Sequence, residues 1–150
     1  MAVMSRARRS HVPRIVGRLV LGAFLVFAGL SHLFWARQEF AAQVPPWVPV
    51  DTDAVVLASG VVEIVLGLCL ILLPHRAPAV GWVVALFFVA VFPGNISQFV
   101  THTDAFGLDT DRARAIRLVF QPVLVVWALW CTGAWAAFRQ RRSTARAVSR

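Results

Sequence analysis

Five polar side chains interrupt the long apolar stretches of this 150-residue chain: His32, Glu63, Asn95, Arg117 and Gln121. A charged side chain at the centre of a bilayer costs about 2.5–3.5 kcal/mol on insertion scales. Polar residues in such stretches therefore face the interior of a helix bundle. There they either join helices by hydrogen bonds or form a site for a ligand.

The apolar stretches that carry these residues are long enough to cross a membrane. Hydrophobic residues make up 59% of the chain and charged residues only 15%, whereas soluble domains carry about 25% charge. A membrane-spanning helix needs roughly 20 apolar residues, and four segments meet that length, at about 15–35, 54–73, 79–100 and 116–138. We predict an all-α, integral membrane four-helix bundle over residues 15–138.

The charged residues outside the spans predict the orientation of the bundle. The net charge of +8 comes from arginine alone, and eleven arginines fall on the side that holds both chain ends. Because arginine is enriched on the cytoplasmic side of membranes, we predict an N-in/C-in topology. Residues 1–14 would form an irregular basic arm and residues 139–150 a basic tail. Arginines that flank membrane spans also argue against nucleic acid as a partner.

Glycine spacing indicates which helix faces pack together. Gly22 and Gly29 are seven residues apart, as are Gly60 and Gly67. Small residues at this spacing let helix backbones approach closely within a membrane. We therefore expect both pairs to lie at helix–helix contacts.

The polar residues lie at a common depth. With N-in/C-in topology, each helix places its main polar residue in the outer half of the bundle, which predicts one shared site. Arg117 is the nearest cation to Glu63 by depth, with His32 as second candidate. We hypothesise that Glu63 and Arg117 face one another and frame a ligand site with Asn95 and Gln121, while His32 serves either the site or packing. The alternative is that these side chains only join helices.

Several kinds of chemistry have no counterpart in the sequence. Only His32 lies within a span, whereas a bis-histidine haem needs two axial histidines. No cluster of cysteine and histidine predicts a metal site, and Cys69 and Cys131 are expected to be inert, buried thiols. We identify no nucleotide-binding or serine-hydrolase motif. We therefore expect no catalytic residues, metal or evident resident cofactor, and no enzyme activity from this chain alone.

The order of motifs resembles the DoxX-like family of small bacterial membrane proteins, over about residues 15–135. The matching pieces are Arg18 to Gly29 followed by Ser31-His32-Leu33-Phe34, Pro45-Pro46-Trp47-Val48-Pro49, Ser59-Gly60 with Glu63 and Gly67, Phe92-Pro93-Gly94-Asn95-Ile96, and Arg117-Leu118 with Gln121. Two departures stand out. The family more often has alanine in place of Gly94, and the proline expected at position 119 appears as Pro122.

This resemblance implies a four-helix bundle in the bacterial cytoplasmic membrane. Some DoxX-like relatives are subunits of a thiosulfate:quinone oxidoreductase. By analogy, the chain would be an accessory subunit of a quinone-linked membrane oxidoreductase, with quinone at its polar site and a membrane or peripheral oxidoreductase subunit as partner. Two alternatives stay open: a small transporter or binding protein for a small polar solute or proton, and a purely structural partner protein.

Overall fold

The chain folds into helices, and four of them are long and apolar enough to cross a membrane. The computed structural model describes residues 2–148, with side chains over residues 12–145. In this part of the chain the helices are α1 (Ala2–Phe34), α2 (Arg37–Ala41), α3 (Thr52–Leu72), α4 (Ala77–Val100), α5 (Asp111–Cys131) and α6 (Ala134–Val148). A 3₁₀ turn, Pro74–Arg76, joins α3 to α4. The candidate spans are Val12–Phe34, Thr52–Leu72, Pro74–Val100 and Asp111–Cys131. The predicted all-α fold, with four helices that could span a membrane, is therefore confirmed.

Two of the predicted segments have different boundaries in the structure. Helix α1 begins at Ala2, so the arm expected to be irregular is helical. Alanine, methionine and arginine, which recur there, are strong helix formers. The fourth span was predicted at 116–138. It begins at Asp111, where the Thr110 side chain accepts a hydrogen bond from the Ala113 N–H. It ends before Gly133, whose φ of 70° terminates the helix, and α6 follows as a separate helix.

The helices are joined chiefly as two pairs, α1 with α3 and α4 with α5. The α1–α3 contact is built on the predicted glycines. Gly22 lies against Gly67, and Gly29 lies against Gly60. A β-carbon at Gly67 would lie 2.6 Å from the carbonyl oxygen of Gly22. These distances confirm that the glycines permit close approach of the two backbones.

The bundle divides into two unlike halves. The hairpin half lies next to the Pro74–Arg76 turn and contains α1 up to residue 25, α3 from 66, α4 up to 88 and α5 from 124. Its centre is an apolar core of Leu21, Leu25, Leu66, Leu70, Val84, Ala85, Phe88, Leu124, Ala128 and Cys131. The cavity half comprises the rest of the four spans with the connections at 35–51 and 101–110. The outer surface of both halves is largely apolar, as expected of lipid-facing helices.

Arg18 is the buried charge of the hairpin half. Its side chain is only 8% exposed and donates a hydrogen bond to the backbone carbonyl of Leu70. Leu70 lies in the last turn of α3, where backbone carbonyls lack helical donors. The guanidinium therefore supplies a hydrogen-bond donor to a carbonyl in the last turn of α3. This hydrogen bond explains why the Arg18 side chain is buried rather than extended to the surface.

Candidate functional site

A cavity of about 540 Å³ occupies the cavity half of the bundle. Helices α1, α3, α4 and α5 each supply part of its wall, and the segment 43–48 with Phe40 and Phe106 supplies the rest. The structure brings the five predicted residues together here, since His32, Glu63, Asn95, Arg117 and Gln121 all line this cavity.

Three of these residues form a hydrogen-bonded chain between α4 and α5. The Asn95 amide nitrogen donates to Gln121 Oε1 at 2.9 Å, and Arg117 Nε donates to Asn95 Oδ1 at 3.1 Å. Gln121 Nε2 in turn donates to the backbone carbonyl of Phe88 at 2.6 Å. Asn95 is thus donor and acceptor at once, and it holds the Arg117 side chain in a fixed position at the cavity wall.

His32 and Glu63 meet on the opposite wall, where α1 packs on α3. Glu63 Oε2 lies 3.2 Å from His32 Nδ1. That nitrogen, however, is 2.8 Å from the Ala28 carbonyl, which can only accept a hydrogen bond. The Nδ1–H therefore points to Ala28, and Glu63 Oε2 is buried without a hydrogen-bond partner among the described residues. The pair is a close approach that leaves the carboxylate oxygen unsatisfied.

Glu63 and Arg117 line opposite walls of the cavity but do not form a direct ion pair. Among the described side chains, His32 rather than Arg117 is the basic residue within 4 Å of the Glu63 carboxyl group. Arg117 instead bonds to Asn95 and lies over the ring of Phe106, with its guanidinium carbon 5.0 Å from the ring centroid. The helix pairing explains this outcome, because Glu63 is on α3, which packs on α1, and Arg117 is on α5, which packs on α4.

Two aromatic residues cover the polar side chains from the loop side. The Phe40 ring stacks on the His32 ring with centroids 3.3 Å apart, and it meets the Phe106 ring edge-on at 4.6 Å. The Phe106 N–H also donates to the Glu39 carboxylate. These contacts join the α2 segment to the α4–α5 connection, and both rings line the cavity from the loop side.

Sequence reasoning missed Gln43, Phe40 and Phe106 as cavity residues. Gln43 lies just before the proline-rich segment 45–49. This position in the sequence was the signal that could have pointed to Gln43 as a cavity residue. Its backbone carbonyl comes so close to α4 that a β-carbon at Gly94 would lie 2.7 Å away. The close approach gives a physical reason for glycine at position 94. Nothing in the spacing of Phe40 and Phe106 indicates that they meet.

Other polar residues of this half bond to their own surroundings, although Arg114 Nε is buried without a hydrogen-bond partner among the described residues. Ser59 donates to the Val56 carbonyl of its own helix at 2.9 Å. Gln98 is 1% exposed and donates to the Thr103 carbonyl, which holds the end of α4. Arg114 is 5% exposed and binds the carboxylates of Asp104 and Asp111, which fold the α4–α5 connection over it. These residues are therefore assigned structural roles.

The polar and the apolar residues that line the cavity differ in exposure. His32, Asn95 and Gln121 are 5–7% exposed, whereas Phe27 and Trp47 are 61% and 70% exposed. Within the described residues, no group of three histidine, cysteine, aspartate or glutamate side chains is placed to hold a metal ion. The arrangement suits a molecule with a polar head and an apolar remainder.

The described cavity residues fall within a stretch that matches a known protein family. Residues 21–132 match the family described as Domain of unknown function (DUF8561). No curated protein and no solved structure matches the chain. Because the match spans well over half of the chain, the protein belongs to the DUF8561 family.

Proposed function

We propose that this protein spans the bacterial cytoplasmic membrane four times, with both ends in the cytoplasm, and binds the head group of a quinone-class molecule in the cavity. It would serve as an accessory subunit of a quinone-linked membrane oxidoreductase. One observation carries the proposal: the polar side chains that line the cavity are buried, whereas several of its large apolar lining side chains are exposed.

The exposed lining residues support entry from the lipid. Phe24 and Phe27 belong to a candidate span and are 46% and 61% exposed. Large apolar side chains on the outside of a span face hydrocarbon when the helix crosses a membrane. A quinone diffuses within that hydrocarbon, so its head group can reach the polar side chains of the cavity while its isoprenoid tail stays in lipid.

The dimensions and chemistry of the cavity also support a quinone-class head group. A volume of about 540 Å³ lies in the usual range for small-molecule sites, roughly 300–1,000 Å³. Phe40, Phe88 and Phe106 supply flat apolar surfaces, and Arg117 supplies a donor for a ring oxygen. Because we identify no redox cofactor motif in the sequence, the role we assign to this chain is to bind and orient the ring. Electron transfer would belong to the partner, as the DoxX-like resemblance implies.

The transporter alternative has weaker support. A small polar solute or proton entering from the loop side would have to pass the Phe40 and Phe106 rings, which contact one another and His32. Apolar rings at an entrance disfavour passage of a hydrated solute. We therefore favour a ligand that enters through the bilayer.

A matched pair of glutamine substitutions tests the proposal. Gln121→Leu removes a buried hydrogen-bonding amide from the cavity, whereas Gln140→Leu makes the same change at an exposed position on α6. We expect isoprenoid quinone to be extracted from the purified wild-type protein. We expect the amount to fall roughly tenfold in Gln121→Leu, as for loss of a buried hydrogen bond, and to stay unchanged in Gln140→Leu. Equal amounts in both variants, or no quinone above an unrelated membrane protein, would contradict the proposal.

A further inference from the structure

Helix α6 carries aromatic residues and arginines on one face. Trp135 and Phe138 lie at its start, and Arg139, Arg141 and Arg142 follow. Residues three, four and seven positions apart share a helix face, so the face of Trp135 also carries Phe138, Arg139 and Arg142. Arg141 lies on another face. The guanidinium carbon of Arg142 is 5.1 Å from the centroid of the Phe138 ring, in agreement with their spacing.

The aromatic residues of this face pack on a candidate membrane span. The Trp82 ring, in the second turn of α4, has its centroid 6.5 Å from that of Trp135 and 5.8 Å from that of Phe138. We call these three rings the aromatic cluster, and all three are 39–50% exposed. Tryptophan is enriched where a membrane meets water. The cluster is therefore typical of a helix that lies at the level of the lipid head groups.

The arginines of α6 have no counter-charge within their half of the chain. All seven carboxylate side chains of the sequence, from Glu39 to Asp111, belong to the cavity half. The ion pairs between described residues lie there as well. Arg139 and Arg142 are exposed at the opposite end of the bundle. Their charges are therefore balanced by groups outside the chain.

We infer that α6 lies in the membrane–water interface and binds anionic phospholipid. Arg139 and Arg142 contact the lipid phosphates, and the aromatic cluster lies between the lipids at the level of their glycerol groups. Arginine binds phosphate oxygens through paired N–H donors, and a basic helix that also carries tryptophan and phenylalanine is typical of the interface. An acidic protein would balance the arginines but would leave the exposed aromatic rings unexplained. The inference depends on the proposed membrane location and is independent of quinone binding.

Binding of two phospholipids that differ in head-group charge tests the inference. The purified chain in a neutral detergent is titrated with dioleoyl-phosphatidylglycerol and with dioleoyl-phosphatidylcholine, and native mass spectrometry gives the Kd of the first bound lipid. Each arginine at an anionic surface contributes about fivefold, so the phosphatidylglycerol Kd should be roughly 25-fold lower. Equal Kd values, as expected if the basic face serves an acidic protein, would overturn the inference and leave the proposed quinone site intact. Binding of neither lipid would overturn it together with the proposed membrane location.

Two substitutions on different faces of α6 separate a lipid site from a general effect of charge. Arg142→Gln removes a charge from the aromatic and basic face, and Arg141→Gln removes the same charge from another face; both side chains are exposed. The phosphatidylglycerol Kd should rise roughly fivefold in Arg142→Gln and stay within about twofold of wild type in Arg141→Gln. Equal losses in the two variants would contradict the assignment to this face.

A pair of tryptophan substitutions tests the aromatic cluster. Trp135→Ala should weaken both phospholipids by a similar factor and keep the preference, because the acyl and glycerol groups are common to the two lipids. Trp35→Ala, at an exposed tryptophan in the opposite half of the bundle, should change neither Kd. Unchanged binding in Trp135→Ala would contradict the role of the cluster. The comparison of the two lipids on the wild-type chain needs no substitution and decides the question even where a variant does not fold.

Discussion

The two halves of the bundle treat buried polar groups in opposite ways. In the hairpin half, the single buried cation, Arg18, is satisfied by the Leu70 carbonyl and surrounded by apolar side chains. In the cavity half, Glu63, Gln43 and Arg114 each keep a buried atom without a hydrogen-bond partner among the described residues. Both halves are built from the same four helices. The difference indicates that the hairpin half supplies the packing that stabilises the fold, which allows the cavity half to retain an incompletely satisfied site.

The largest effect is expected from a test of which half faces the cytoplasm. Arginines concentrate at both ends of the chain, on the side of the Pro74–Arg76 turn. Because cytoplasmic flanks carry excess arginine, reporters fused at Gly107 and at Arg150 should give opposite, all-or-none signals. A phosphatase that is active only outside the cytoplasm should be active when fused at Gly107. A protein that fluoresces only in the cytoplasm should fluoresce when fused at Arg150. Signals from the same side would exclude the four-span topology.

The next largest effect should follow from enlarging the glycine contact between α1 and α3. Gly67→Leu places a side chain where a β-carbon already meets the Gly22 carbonyl and a Val26 methyl. Overpacking of this kind costs about 1–3 kcal/mol, so thermal stability in detergent should fall clearly. Ala58→Leu adds the same side chain at an exposed position of α3 and should leave stability near wild type. Equal stability of the two variants would mean that close approach of α1 and α3 does not hold the bundle together.

A loss of similar size is expected from removing the buried charge of the hairpin half. Arg18→Met leaves the Leu70 carbonyl without its donor, which should cost about 1–3 kcal/mol of unfolding free energy. Arg14→Met, one turn earlier on α1, is the control, and its change should be small. Ligand affinity should be unchanged in both variants, because Arg18 lies outside the cavity. A loss of affinity in Arg18→Met at unchanged stability would show that the two halves are not separable.

The sequence was sufficient for the parts of this comparison that depend on composition and periodicity. The four spans, the glycine contacts and the five cavity residues follow from apolar length, residue size and the cost of burying polar groups. Pairing depends on which helices are neighbours, and depth alone does not contain that information. For this reason depth suggested Arg117 as the nearest cation to Glu63, whereas the structure places His32 there. The break after Cys131 was missed because a single glycine gives a weak signal, although its positive φ ends the helix. The roles of Gln43 and Phe106 depend on how two loops fold over the bundle.

Double-mutant cycles should show which side chains of the cavity half are coupled. His32 Nδ1 lies 3.2 Å from Glu63 Oε2. Glu63 and Arg117, in contrast, belong to different helix pairs, α1–α3 and α4–α5. Residues in contact show coupling energies of about 0.5–3 kcal/mol. We expect the His32→Gln/Glu63→Gln cycle, measured by thermal unfolding, to give the larger coupling. A Glu63→Gln/Arg117→Gln coupling that equals or exceeds it would restore the direct pair first inferred from depth.

The smallest effect is expected at the two cysteines. Cys131 belongs to the apolar core of the hairpin half, and Cys69 is half-buried on α3; both thiols are free. Cys131 Sγ makes only a weak contact of 3.6 Å with the Ala128 carbonyl, so alanine at both positions removes little beyond two sulfur atoms. The double variant Cys69→Ala/Cys131→Ala should lose about 1 kcal/mol of stability and keep wild-type quinone affinity. Retained stability combined with lost affinity or lost cellular function would assign chemistry to a thiol. It would also place part of the functional machinery in the half of the bundle to which we assign only packing and lipid contact.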